Sequence, residues 1–122
     1  MKKILIVEDE VELANNITEA LSDLDYKVSA IVDNAASALA FLEENEVDLV
    51  LMDISLKGDE DGLSLTRRLR AEEDFKKLPI IAVTANAFPD DRMRAMKAGC
   101  TDYLPKPVSS NDLYRKITEF TR

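Results

Sequence analysis

Histidine is absent from these 122 residues. The chain therefore cannot carry a phosphohistidine, run imidazole acid–base chemistry or build a histidine metal site. Cysteine is reduced to a single residue, Cys100, so no internal disulfide framework exists and a reducing compartment fits best. Cys100 reads as a small buried residue. Long hydrophobic runs are also missing. After Met1-Lys2-Lys3 the apolar stretch Ile4 to Val7 is too short for a signal-peptide core or a membrane span, and a cytoplasmic location without a membrane partner is expected. Positive charge is scarce: 16 Lys and Arg against 24 Asp and Glu leave a formal charge of -8. That balance argues against a surface that binds nucleic acid by neutralising phosphates.

What is present reads as a packed domain. A composition of 46% hydrophobic and 33% charged residues has too much apolar material for disorder, and the length suits one domain with a real core. No internal repeat, low-complexity tract or linker interrupts it. The expectation is one domain over residues 1–122 with no output domain attached.

Short aliphatic and β-branched runs recur at Ile4 to Val7, Val28 to Val32, Leu49 to Met52, Ile80 to Val83 and, more weakly, Tyr103-Leu104, each short enough for a buried strand. Between them, apolar residues three or four apart mark amphipathic helices. Ala14, Ile17, Leu21 and Leu24 define the first; Ala35, Ala38, Leu39 and Leu42 the second. A third starts near Gly62 with Leu65 and Leu69 inward. A fourth follows Pro89, which suits a first helical turn, and carries Met93 and Met96; a fifth carries Leu113, Ile117 and Phe120. Alternating strands and helices imply parallel βαβ units with right-handed crossovers. The predicted fold is α/β: a five-stranded doubly wound parallel sheet with helices on both faces.

In such a sheet, ligands bind outside the carboxyl ends of the strands. The first run is followed by Glu8-Asp9, the third by Asp53, the fourth by Thr84, and the fifth by Lys106-Pro107. Three carboxylates, a hydroxyl and an amine should therefore meet at one edge. Like charges about 4 Å apart repel by roughly 4 kcal/mol at an effective dielectric near 20, so positive charge must join them. Lys106 can offset one carboxylate. A hard divalent cation with oxygen ligands can offset the rest, Mg²⁺ being the natural candidate and Mn²⁺ a substitute. A phosphoryl group entering the site would meet the cation, Lys106 and the Thr84 hydroxyl, while an Asp53 oxygen attacks in line to give an aspartyl phosphate. Taken singly, each residue has a plainer role. Asp9 with Glu12 makes a capping box, Thr84 is a β-branched strand residue, Lys106 is a surface lysine, and Tyr103 is a half-buried aromatic. Their joint placement carries the argument.

Those residues resemble the response-regulator receiver domain of two-component signal transduction, the CheY-like superfamily with its flavodoxin-like (βα)5 fold. The likeness runs from Lys3 to about Phe120 and includes VDLVLMD ending at Asp53, Asp61-Gly62, PIIAVTA around Thr84, Ala98-Gly99 and DYLPKP from Asp102 to Pro107. The resemblance implies a phosphoacceptor that assists its own phosphorylation and slow autodephosphorylation, and is no turnover enzyme. It implies transfer from a sensor histidine kinase or histidine phosphotransfer protein to Asp53. Glu8, Asp9, Asp53 and the Ser55 backbone carbonyl would serve Mg²⁺, Glu8 largely through metal-bound water. Thr84 would be the switch hydroxyl, Lys106 the phosphoryl contact, and Tyr103 the aromatic switch. The fourth helix, fifth strand and fifth helix would form an output face for a downstream protein, with a phosphorylation-dependent homodimer left open. Lys106-Pro107 would be cis.

Two departures from the family pattern stand out. The loop after Asp53 reads Ile-Ser-Leu-Lys-Gly-Asp-Glu-Asp-Gly, one residue longer than the commoner form and without its Met-Pro, which puts the Lys57–Asp61 geometry in question. Glu8 stands where many members have Asp, and its longer arm still supplies an oxygen. Ser55 and Asn86 would flank the phosphoryl group and influence water access, with small Ala85 leaving the way open. A phosphatase would need a second acid where Ser55 stands. A flavin or nucleotide carrier would need a first turn less anionic than Glu8-Asp9-Glu10. A receiver-like scaffold that works without phosphorylation remains the alternative.

Overall fold

The structure, a computed structural model, describes residues 1–56, 58, 60–85 and 89–121. Five strands form one parallel sheet: β1 (Lys3–Val7), β2 (Lys27–Val32), β3 (Leu49–Asp53), β4 (Ile80–Thr84) and β5 (Asp102–Pro105), in the order β2-β1-β3-β4-β5. The helices are α1 (Val11–Asp23), α2 (Ala35–Glu44), α3 (Gly62–Arg70), α4 (Pro89–Ala98) and α5 (Ser110–Phe120), and a 3₁₀ turn spans Glu73–Phe75. The doubly wound architecture expected from the alternation is the one observed.

Strand side chains alternate between faces, so each central strand feeds two cores. Leu5, Val7, Val50, Met52, Ile80 and Ala82 pack against α2, α3 and α4 through Ala38, Leu42, Leu63, Leu65, Leu69 and Ala95. Ile4, Ile6, Leu49, Leu51, Ile81 and Val83 pack on the opposite face against α1 and α5, through Ala14, Ile17, Leu21, Leu113 and Ile117. Strands covered on both sides read as continuous apolar runs, and β1, β3 and β4 do. β2 lies at the sheet edge and is only half-buried, with Ile31 exposed.

Two readings of the helices are corrected. Met93 and Met96 do not face the core: they are 54% and 43% exposed, and α4 seats on the sheet through Ala95 and Ala98. The small alanines let α4 approach closely, and the methionines occupy the outer face. Asp9 is not the N-cap of α1; Glu10 holds that position, and its side chain makes no cap hydrogen bond. The N-caps of α2, α3 and α5 are conventional: Asn34 accepts from Ser37 N–H at 2.8 Å, Asp61 from Ser64 N–H at 2.8 Å, and Ser109 from Asp112 N–H at 3.1 Å. Gly99, at φ +111°, closes α4 in a conformation that favours glycine.

Candidate metal and phosphoryl site

Register decides which strand ends become neighbours. Val7 pairs with Met52, which sets Glu8 beside Asp53; Asp53 pairs with Val83, one residue short of Thr84; and Thr84 pairs with Pro105, one residue short of Lys106. The crevice between β1 and β3 is where the chain reverses its direction of winding, the position at which such sheets take ligands.

At that point one carboxylate oxygen each from Glu8, Asp9 and Asp53 lies within 4.8 Å of the others. Glu8 and Asp53 are buried, as is Thr84 at the end of β4. The Lys106 ammonium reaches across from the end of β5, 3.2 Å from Glu8 Oε1, 3.6 Å from Asp53 Oδ2 and 3.4 Å from Glu10 Oε1. Lys106-Pro107 is cis, and the Lys106 N–H donates to the Thr84 carbonyl at 2.7 Å. Asp53 is further oriented by the Ser55 N–H, which donates to Oδ1 at 2.9 Å and brings the Ser55 backbone beside the carboxylate.

The electrostatics follow from crowding. Burial pushes the Glu8 carboxyl up from 4.5 to about 7, helped by a hydrogen bond with the Asp53 side chain and by the Asp53 charge, against the pull of the Glu10 N–H and Lys106. Burial works against the Lys106 charge, yet Asp53 and Glu8 outweigh it and raise its pKa above the usual lysine value. Asp9 Oδ2 is buried and accepts no hydrogen bond among the described residues. An unsatisfied buried carboxylate oxygen beside two further carboxylates is costly by itself and suits a hard cation that takes oxygen ligands. The residues therefore fit Mg²⁺ or Mn²⁺.

Two contributions to this site were not singled out by the sequence. Gly62 opens α3 against β3 so closely that a Cβ there would lie 2.2 Å from the Asp53 carbonyl oxygen. The Asp61-Gly62 pair is visible in the chain, but only the approach explains the glycine. Glu10 joins the Lys106 cluster; three consecutive acids, Glu8-Asp9-Glu10, were the available signal. Tyr103 lies on β5, half-buried, with the Arg92 guanidinium 5.1 Å from its ring centroid. Glu60, in the lengthened loop, is held by Ser64 Oγ at 2.9 Å and by Arg68. Lys57, Asp59 and Asn86 lie outside the described residues, so the full Lys57–Asp61 loop and the place of Asn86 do too.

Fold and site together define a doubly wound α/β module with an acidic cation cradle and a lysine at its crevice. A model of the response regulator receiver domain family matches residues 4–118. The chain is 36% identical to the chemotaxis protein CheY of Pseudomonas aeruginosa, over 94% of this chain and 92% of that protein. It is 33% identical to the phosphate regulon transcriptional regulatory protein PhoB of the same organism, over 99% of this chain and 52% of PhoB. Among solved structures it matches the receiver domain of a Pseudomonas aeruginosa sensor histidine kinase, in which a magnesium ion is coordinated in the active-site cleft. The TM-score is 0.89 at 38% identity, covering 98% of this chain and 97% of that one. A putative response regulator from Chloroflexus aurantiacus superposes with a TM-score of 0.93 at 28% identity, covering 98% and 97%. The chain belongs to the response regulator receiver domain family of two-component signalling. Receiver domains are phosphoacceptor signalling modules, not turnover enzymes, and they interact with histidine kinases and downstream targets. No helix among the described residues is long and apolar enough to cross a membrane.

Proposed function

We propose that this chain accepts a phosphoryl group on Asp53 in a Mg²⁺-dependent reaction and signals through the surface formed by α4, β5 and α5. The observation that carries this reading is the convergence of the Glu8, Asp9 and Asp53 carboxylates within 4.8 Å under the Lys106 ammonium. Glu8, Asp9, Asp53 and the Ser55 backbone carbonyl hold the cation, which when bound neutralises charge on the phosphoryl oxygens. Asp53 is aimed by the Ser55 N–H. One of its oxygens forms the new P–O bond as the donor P–N bond breaks, the electron pair returning to the imidazole nitrogen of the donor histidine. Lys106 and the Thr84 hydroxyl then contact the transferred group.

The donor is a sensor histidine kinase or a histidine phosphotransfer protein, since this chain has no histidine of its own. Slow loss of the phosphoryl group follows by hydrolysis, with Ser55 beside the path of water. Phosphorylation biases a two-state equilibrium in which Thr84 and Tyr103 reposition and alter the α4-β5-α5 surface for a downstream protein or a second copy of the chain. The setting is cytoplasmic.

The test is phosphorylation itself. With Mg²⁺ and acetyl phosphate the intact protein gains the mass of one phosphoryl group, and Asp53→Ala abolishes the gain. No gain with acetyl phosphate or with a phosphorylated histidine kinase would overturn the reading in favour of a scaffold that works without phosphate.

A further inference from the structure

We infer that Glu10 is a positioning residue for Lys106, holding the ammonium on the solvent side of the site so that an incoming phosphoryl-like anion must displace Glu10 to gain the lysine. The inference rests on the reading of Asp53 as phosphoacceptor and adds a competitor for its lysine.

Three observations support it. Lys106 Nζ is shared almost evenly among Glu8 at 3.2 Å, Glu10 at 3.4 Å and Asp53 at 3.6 Å. Two of these carboxylates are buried, whereas Glu10 is 62% exposed, so it is the carboxylate an arriving anion meets first. Finally, Glu10 sits at the N-cap of α1 without using its side chain as a cap, although α2, α3 and α5 are all capped by side chains. Its carboxylate therefore leaves the open amides of α1 and goes to Lys106.

The consequence is a competition. An anion bound at the cation gains Lys106 only as the Lys106–Glu10 contact is given up, which weakens anion binding in proportion to that contact. For a solvent-exposed ion pair the effect is about threefold in affinity.

The test measures binding of beryllofluoride, a phosphoryl mimic, to the full chain in Mg²⁺ by isothermal titration, for the wild type, Glu10→Gln and Glu10→Asp. Gln removes the charge and keeps the shape. Asp keeps the charge but shortens the arm, and it turns readily onto the first-turn amides of a helix. Both variants are expected to tighten beryllofluoride binding about threefold without lowering the thermal unfolding midpoint of the anion-free protein. Tightening by Gln but not by Asp would mean diffuse repulsion and would overturn the positioning role, as would no tightening by either. A wild type that neither binds beryllofluoride nor takes a phosphoryl group would overturn the proposed function as well, whereas a binding-competent wild type matched by both variants overturns this inference alone.

Discussion

Replacing Asp53 with asparagine will stabilise the metal-free protein above neutral pH. Asparagine keeps the volume and the oxygen that accepts the Ser55 N–H at 2.9 Å, so the exchange removes chiefly one charge. Oxygens of Glu8, Asp9 and Asp53 lie within 4.8 Å of one another, and at that separation each like-charged pair costs about 3.5 kcal/mol at an effective dielectric near 20. Lys106, 3.6 Å from Asp53, returns about 5 kcal/mol on the same scale. Asparagine removes two repulsions and one attraction, a net gain of about 2 kcal/mol, or roughly 8 °C in Tm for a domain of this size.

The gain depends on pH in a definite direction. Glu8 titrates at about 7 in the folded chain instead of 4.5, first because it is buried and next because of Asp53. Between those values the folded state holds a proton that the unfolded state has lost, so wild-type stability falls as pH rises, by roughly 3 kcal/mol across the window. Without the Asp53 charge only the share due to burial remains. Urea denaturation with a chelator at about pH 5 to 8 should show the variant's advantage growing with pH. Added Mg²⁺ should narrow the gap by stabilising the wild type. A variant no more stable than wild type at about pH 8, or an advantage that does not grow with pH, would refute the electrostatic reasoning.

Lys106→Met strips the cluster of the one side-chain cation it has among the described residues and should cost about 3 kcal/mol in chelator, much of it recovered on adding Mg²⁺; denaturation with and without the ion reads both. Gly62→Ala places a methyl 2.2 Å from the Asp53 carbonyl oxygen and 3.0 Å from Ile54 Cα. Because both are backbone atoms, the start of α3 must shift, with an expected loss of about 2 kcal/mol and weaker Mg²⁺ binding by titration. Arg70 donates to the Gly99 carbonyl at 2.8 Å, the Phe75 carbonyl at 2.6 Å and Thr101 Oγ1 at 3.3 Å. Arg70→Ala should lower stability by roughly 3 kcal/mol, read by urea denaturation, while Asp53 still takes a phosphoryl group from acetyl phosphate. Cys100 is buried, and burial raises its thiol pKa, so alkylation of the native protein at neutral pH should be slow and should accelerate on unfolding.

The sheet was legible because its central strands are short aliphatic runs and its helices repeat at helical spacing. The edge strand β2 and helix α4 were read less well, for a common reason. Hydrophobicity in the sequence marks what is able to be buried, and Ile31, Met93 and Met96 are apolar yet exposed. α4 instead packs through Ala95 and Ala98, whose small size is a weak signal in a periodic pattern. Asp9 illustrates the same limit at the site. Its spacing to Glu12 fits a capping box, but the helix begins one residue later and Asp9 stands in the acidic cluster.

By itself, the sequence determined the element order, the absence of histidine chemistry, and the identity of the groups following each strand, because these depend on residue type and local spacing alone. The tertiary structure decided which of those groups meet. Parallel pairing with Val7 opposite Met52 and Thr84 opposite Pro105 brings residues far apart in the chain within ion-pair distance, and a register shift of one residue would reverse the face each presents. Only in that arrangement do Glu8 and Asp53 become buried like charges, Glu10 leave its helix for Lys106, and the glycine at position 62 become a requirement of packing.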